Sequence, residues 1–302
     1  MITNNIKILK QDDFGADLDG KAIFEVTKFD VSQVTLKIRK VAEMSELDIQ
    51  KLFETFNQFK FVILECAPLA NTHENLLALK KFFGSVVRHN RSDENGIVAV
   101  ENLSKQGVAQ AFMSANNKEL TMHTDGTFEI EPAKIVALQC EVPSQNGGLS
   151  KIVYAESVYE YLRENYPQEL QSLFTNPLTI TRTGQTPVTR AIFVEHEGRI
   201  SMTFRSALAD SAISITIPPK LKNIYNIIKT YVNNPNNQLN FKLKAHQILL
   251  LDNASLLHGR TSFPDNEFRK LNRLSFDGIS EYPNHLQFGF IPKSKLLVGG
   301  QN

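Results

Sequence analysis

The segment Thr121-Met122-His123-Thr124-Asp125-Gly126 sets an imidazole and a carboxylate two residues apart. On extended backbone, side chains at i and i+2 share a face, so His123 and Asp125 could grip one ion from a single short segment. With seven His and twelve Asp in 302 residues, about 0.3 His-x-Asp pairs arise by chance, so the pair needs a partner from elsewhere. His258 is that candidate, in Leu251-Asp252-Asn253-Ala254-Ser255-Leu256-Leu257-His258-Gly259-Arg260, where an apolar strand leads into a polar cluster. Two His and one carboxylate on a β scaffold form a facial triad. Such a triad leaves three adjacent metal positions open, which suits non-haem Fe(II) that must bind a cosubstrate and O2 together. Arg269 and Arg273 stand four apart and face one side if they lie on a strand, and Ser150 follows Gly147-Gly148. A planar guanidinium with a neighbouring hydroxyl clamps the far carboxylate of a dicarboxylic acid, which is the shape of a 2-oxoglutarate site.

Elements must position these groups. Ile49, Leu52, Phe53 and Phe56 fall at helical spacing behind Ser45, an N-cap with Asp48 three residues on. Phe61 to Leu64 reads as a buried strand, and Thr72 is expected to cap a second helix carrying Leu76, Leu79 and Phe83, stopped by Gly84. After residue 130 short β-rich runs dominate: 135–140, 150–153, 178–181, 191–194, 200–204, 239–243, 248–251 and 271–276. Two helical patterns lie among them, around 157–164 and at Leu221, Ile224, Tyr225, Ile228 and Val232. Many short strands without regular strand-helix alternation predict a mainly β sandwich or barrel with helices packed outside, and argue against a doubly wound parallel sheet. One domain over 1–302 is the simpler reading, with a helix-strand-helix part at about 40–90 and the β core at about 118–290.

Composition excludes several classes. Thirty-three Lys plus Arg against 32 Asp plus Glu leave a net charge of +1, too little for the basic field that nucleic acid requires. Two cysteines cannot build a disulfide framework or a Cys-based zinc site. No run approaches the ~18 apolar residues of a membrane span, and the N-terminal segment has no signal-like apolar stretch. The expectation is a cytoplasmic protein with a small-molecule substrate, no nucleic acid and no membrane partner.

The ordered set His123-Thr124-Asp125 with Phe128, Gly147-Gly148 with Ser150, Asp252-Asn253 with His258-Gly259-Arg260, and Arg269 with Arg273 resembles the taurine dioxygenase (TauD/TfdA-like) family of Fe(II)/2-oxoglutarate-dependent oxygenases. The resemblance covers roughly residues 40 to 280. It implies a double-stranded β-helix, or jelly-roll, with helices outside, and it leaves a homo-oligomer open. By position it implies that His123, Asp125 and His258 bind iron and that Ser150 and Arg269 hold the C5 carboxylate of 2-oxoglutarate. Arg273 would face the cosubstrate or an anionic group of the substrate, and Glu119 and Arg205 would lie on the substrate side. The implied reaction is oxidation of a C–H bond, by hydroxylation or desaturation, of a small acidic or amino-acid-derived substrate, with release of succinate and CO2. A tyrosine-derived isonitrile is one candidate and a taurine-type sulfonate another. Met122 replaces a Trp common in relatives, on what would be the substrate side, and Ala245-His246 is read as a turn. Arg260 and Asp252 are expected to orient His258 or its turn, and the remaining histidines, His89 included, to be surface or core residues. A lid is expected over 90–117. A zinc hydrolase would use the same His/His/Asp set without an Arg clamp, and a non-catalytic jelly-roll binding protein would have no need of either.

Overall fold

The computed structural model describes residues 29–103, 115–206, 212–282 and 285–293. Two sheets face each other. The larger has six strands in the order Thr35–Ile38, Phe61–Cys66, Gln247–Asp252, Ile135–Val142, Lys270–Phe276 and Val98–Glu101. Its first pair is parallel and every other pair antiparallel. The smaller sheet has four antiparallel strands in the order Leu239–Phe241, Ser150–Tyr154, Leu256–Arg260 and Leu120–His123. A three-stranded sheet (Ile213–Thr216, Leu178–Arg182, Val188–Arg190) and a hairpin (Phe193–His196, Arg199–Met202) complete the β structure. Neighbours that are distant in sequence, as in 247–252 between 61–66 and 135–142, are the signature of a jelly-roll, and the architecture is the expected mainly β one.

Side-chain alternation sorts the core into three layers. From Gln247–Asp252, Leu249 and Leu251 point between the sheets with Phe61, Ile63, Val136, Ile152 and Leu256, while Ile248 and Leu250 point the other way. That outer face is covered by the helix Glu46–Phe59 through Leu52, Phe53 and Phe56, together with Leu76, Leu79, Phe82 and Phe83. A strand covered on both faces must be apolar at every position, which is why Ile248 to Leu251 carries no alternation to read. The smaller sheet is covered on its outer side by Ala155–Asn165, Pro167–Thr175 and Lys222–Asn233, which pack onto Met122, Val153 and Leu257.

Local signals explain most element boundaries. Ser45 Oγ accepts from Asp48 N at 3.2 Å and Ser45 N donates to Asp48 Oδ2 at 3.1 Å, so the expected capping box is present. Thr72 is not a cap: the helix Glu74–Ala78 starts after His73, whose N–H donates to Asn71 Oδ1, and the Thr72 carbonyl accepts from Gln139 Nε2. Gly84 ends the following short helix at φ +92° as expected. The runs read at 191–194 and 200–204 fall instead at Phe193–His196 and Arg199–Met202, because their pairing register sets the ends. Ala245 and His246 form the expected turn, with His246 at φ +66°. Among the described residues no helix is long and apolar enough to cross a membrane.

Candidate active site

The interior faces change character along the smaller sheet. On Leu256–Arg260 the inward positions run Leu256, His258, Arg260, and on Ser150–Tyr154 they run Ile152, then Ser150. Leu256 and Ile152 lie in the apolar layer, whereas His258, Arg260 and Ser150 line a cavity at one end of the sandwich. His258 pairs directly across from His123, placing the two imidazoles 4.6 Å apart between ring centroids. Across the interior, Leu271 faces the apolar layer and Arg269 and Arg273 reach the cavity.

Asp125 does not sit on the strand, as simple extended spacing would have it. The strand ends at His123, and Asp125 lies in the turn that Gly126 completes at φ +68°. Asn253 holds that turn. Its Oδ1 accepts from Asp125 N at 2.8 Å, and its Nδ2 donates to Asp125 O at 3.0 Å and Ala133 O at 2.8 Å. The outcome is still convergence: Asp125 Oδ1 lies 3.3 Å from His123 Nε2 and 3.8 Å from His258 Nε2. One ligand atom from each of His123, Asp125 and His258 falls within 4.8 Å of the others, and all three residues are buried.

The surrounding bonds prepare these atoms for a cation. His123 Nδ1 donates to Thr121 O at 2.8 Å, which fixes the ring with Nε2 facing Asp125. Burial lowers His258 to about 3, with His123 adding to the effect against Asp125, so its imidazole is neutral. Burial alone would raise the Asp125 carboxyl, but Arg273, the His123 hydrogen bond and the His258 ring outweigh it and hold it well below the ordinary range. Arg273 Nη1 donates to Asp125 Oδ2 at 3.0 Å, which leaves Oδ1 directed toward the imidazoles. Two imidazole nitrogens and one carboxylate oxygen fit a divalent transition metal.

Beside this triad, Arg269 is buried and lowered to about 10, by burial first. Its guanidinium lies 5.9 Å from the Phe263 ring, and no carboxylate among the described residues forms an ion pair with it. Gly148 leaves room for the Arg269 side chain: at φ +63°, a Cβ there would lie 2.4 Å from Ser144 Oγ and 3.0 Å from Arg269 Cδ and Nε. Ser150 lines the same cavity.

The structure places other expected residues differently. Glu119 is absent from the cavity wall, and its carboxylate pairs with the buried Lys151. Met122 points to the outer layer with Val153 and Leu257, because it alternates with His123, so it does not touch the substrate side. Arg260 does not orient His258; its Nη2 donates to Asn116 O and Lys118 O. Asp252 braces the turn before His258, accepting from Ala254 N, Ser255 Oγ and Gly289 N. Arg205 lines the cavity, its Nε donating to Thr127 Oγ1 at 3.1 Å. Three lining residues were missed: His89, Arg91 and Arg182. His89 is lowered to about 4, chiefly by burial and then by Arg273, and its Nε2 has no hydrogen-bond partner among the described residues. Of the expected lid, residues 104–114 lie outside the described residues, while Asn90 and Arg91 border the cavity.

The family described as "Taurine catabolism dioxygenase TauD, TfdA family" matches residues 22–275, and the chain belongs to that family. Gamma-butyrobetaine dioxygenase of Homo sapiens is 26% identical over 156 residues, which are 48% of this chain and 40% of that one. The chain thus matches less than half the length of that relative. Uridine-5'-phosphate dioxygenase of a Streptomyces species is 24% identical over 226 residues, covering 68% of this chain and 79% of that one. Among solved structures, an asparagine oxygenase in complex with Fe(II), 2S,3S-3-hydroxyasparagine and succinate superposes with a TM-score of 0.60 at 13% identity, covering 80% of this chain and 93% of that one.

Proposed function

We propose that this protein is an Fe(II)- and 2-oxoglutarate-dependent dioxygenase that oxidises a C–H bond of a small acidic or amino-acid-derived substrate. The observation that carries the reading is the meeting, in one cavity, of the His123, Asp125 and His258 ligand atoms with a buried Arg269 that has no ion-pair partner among the described residues. The solved asparagine oxygenase is in complex with Fe(II) and succinate, the product that 2-oxoglutarate leaves on losing CO2, which supports Fe(II) and 2-oxoglutarate here.

In this reading His123 and His258 would offer their Nε2 atoms and Asp125 its Oδ1 to the iron, while Arg273 holds Oδ2. Bound iron would supply the activation of O2, coupled to loss of CO2 from 2-oxoglutarate. Arg269 and Ser150 would hold the far carboxylate of 2-oxoglutarate, the guanidinium by a charge-assisted hydrogen bond that its burial would strengthen. Leu138, Val98 and Val100 line the cavity with apolar surface and exclude water from the reacting centre. Arg205 belongs to the substrate side, whereas Glu119, engaged with Lys151, is given no role.

The test is succinate release from anaerobically reconstituted enzyme on admitting O2, with amino acids, taurine and an isonitrile-bearing tyrosine derivative as separate arms. Substrate-stimulated succinate formation is expected. Tight retention of zinc, with neither 2-oxoglutarate binding nor succinate release, would instead identify a hydrolase.

A further inference from the structure

Glu267 stands two residues before Arg269, yet its carboxylate is engaged elsewhere. Its Oε2 accepts from Gln145 N at 2.6 Å and from Asn146 N at 3.0 Å, and its Oε1 accepts from Asn146 Nδ2 at 2.6 Å. Both oxygens thus grip the segment 144–149, which contains Gly147-Gly148 and leads into Ser150. A turn in which Glu267 N donates to Pro264 O at 3.1 Å presents the carboxylate there. The same two stretches of chain are also joined farther along. Gly148 N donates to Ser262 O at 3.0 Å, Leu149 N to Thr261 Oγ1 at 2.9 Å, and Thr261 N to Leu149 O at 3.0 Å. The loop 261–269, which runs from the His258 strand to Arg269, therefore lies antiparallel along 144–149 with Glu267 fastening the Arg269 end.

We propose that Glu267 is a positioning residue for the far carboxylate of 2-oxoglutarate, clamping the Gly147-Gly148 loop to the Arg269 end of its neighbour so that Ser150 and Arg269 keep a fixed separation. The proposal rests on the oxygenase reading above and adds a residue to that site. Ser150 begins a strand of the smaller sheet, whereas Arg269 directly precedes Lys270–Phe276 of the larger one. No shared ladder sets their spacing, so the bonds between 144–149 and 261–269 must. A two-point grip on one carboxylate needs its donors held to within about 0.5 Å. The loop is intrinsically loose, because Gly147 and Gly148 both adopt left-handed conformations, at φ +59° and +63°. Ser144 and Lys242 add bonds to carbonyls of this loop, at Gly147 and Gln145, but they do not reach the Arg269 end of 261–269. Gly148 also lies against Arg269 Cδ and Nε, so a displaced loop would remove the wall behind the guanidinium. A carboxylate suits this task because its charge strengthens bonds from backbone N–H groups. Directed at Gln145 and Asn146, it does not compete with the incoming dicarboxylate for Arg269.

The experiment uses the full chain loaded anaerobically with Fe(II) and titrated calorimetrically with 2-oxoglutarate and, separately, with oxalate. Oxalate chelates a metal but has no far carboxylate, so it reads the metal end of the site alone. Glu267→Ala should raise the 2-oxoglutarate Kd by about 10-fold, as expected for lost charge-assisted bonds. It should leave the oxalate Kd within about twofold, which also shows that the variant folds and holds its metal. Glu267→Gln, which keeps one oxygen acceptor, should raise the 2-oxoglutarate Kd by about 3-fold and serves as the test if the alanine variant does not fold. Asp265→Ala, in the same turn but bonded to Asn117 Nδ2, should change neither Kd by more than about twofold. An unchanged 2-oxoglutarate Kd in the folded Glu267 variants, or an equal loss of oxalate affinity, overturns the proposal. Oxalate binding without any 2-oxoglutarate binding in the unaltered protein overturns the oxygenase reading, and the proposal with it.

Discussion

Removing the Asn253 amide should damage both the fold and the metal site, because one side chain bonds both ends of the Asp125 turn. Asn253→Ala deletes three buried hydrogen bonds, to Asp125 N, Asp125 O and Ala133 O. At about 1 kcal/mol net each, and with one backbone donor left buried, the loss is about 3 kcal/mol. A urea midpoint should therefore fall on the order of 1 M. Because the same turn aims Asp125 Oδ1 at His123 and His258, affinity for Co(II), used as a spectroscopic stand-in for Fe(II), should weaken by roughly 10- to 100-fold. Asn253→Asp keeps an acceptor for Asp125 N but turns an oxygen toward two carbonyls, so it should weaken metal binding at least as much. Urea unfolding followed by far-UV circular dichroism, with anaerobic Co(II) titration, checks both effects. A midpoint within about 0.3 M of the unaltered protein together with unchanged Co(II) affinity would refute the reasoning.

Gly148→Ala should raise the Kd for 2-oxoglutarate by about 10-fold, because a Cβ in this left-handed position would press on Arg269; calorimetric titration reads it, and metal affinity should not change. Arg269→Gln should raise the same Kd by about 10- to 100-fold, from loss of one charge-assisted bond, with one metal still bound per chain by elemental analysis. Burial pushes Cys66 up to about 12 and Cys140 up to about 11, from an ordinary 9.0. Neither thiol should react with iodoacetamide at pH 8 unless denaturant is present, as mass spectrometry will show. These raised values also mean that unfolded thiols lose protons first, so their contribution to stability is complete below about pH 9 and is lost as pH rises toward 11 to 12.

The parts of the site legible in the sequence were those whose geometry is local or whose order along the chain is distinctive. His123 and His258 lie on strands whose inward positions alternate, and the structure brings them face to face. Asp125 was assigned to the right neighbourhood for an incomplete reason: a turn held by Asn253, not strand alternation, delivers it. Met122 fell on the wrong side because period two sends it outward when His123 points in. Glu119 could not be judged without its partner, since nothing in the spacing from 119 to 151 announces an ion pair. His89, Arg91 and Arg182 carry no local motif, and only packing shows that they share one cavity. The strands Thr35–Ile38, Val98–Glu101 and Ile213–Thr216 escaped notice because each is only four residues long, too short a run for alternation to stand out. The capping box at Ser45, by contrast, is written within four residues and needed no tertiary help.

In the proposed function His123 and Asp125, from one short segment, and His258, far along the chain, hold one iron between them. Protein dialysed to equilibrium against Fe(II) under nitrogen, then assayed for iron, tests it most directly. One iron per chain is expected for the unaltered protein, and close to none for His123→Ala, Asp125→Ala and His258→Ala, each shown to be folded by circular dichroism. One tightly held iron in all three variants, or none in the unaltered protein, would contradict it.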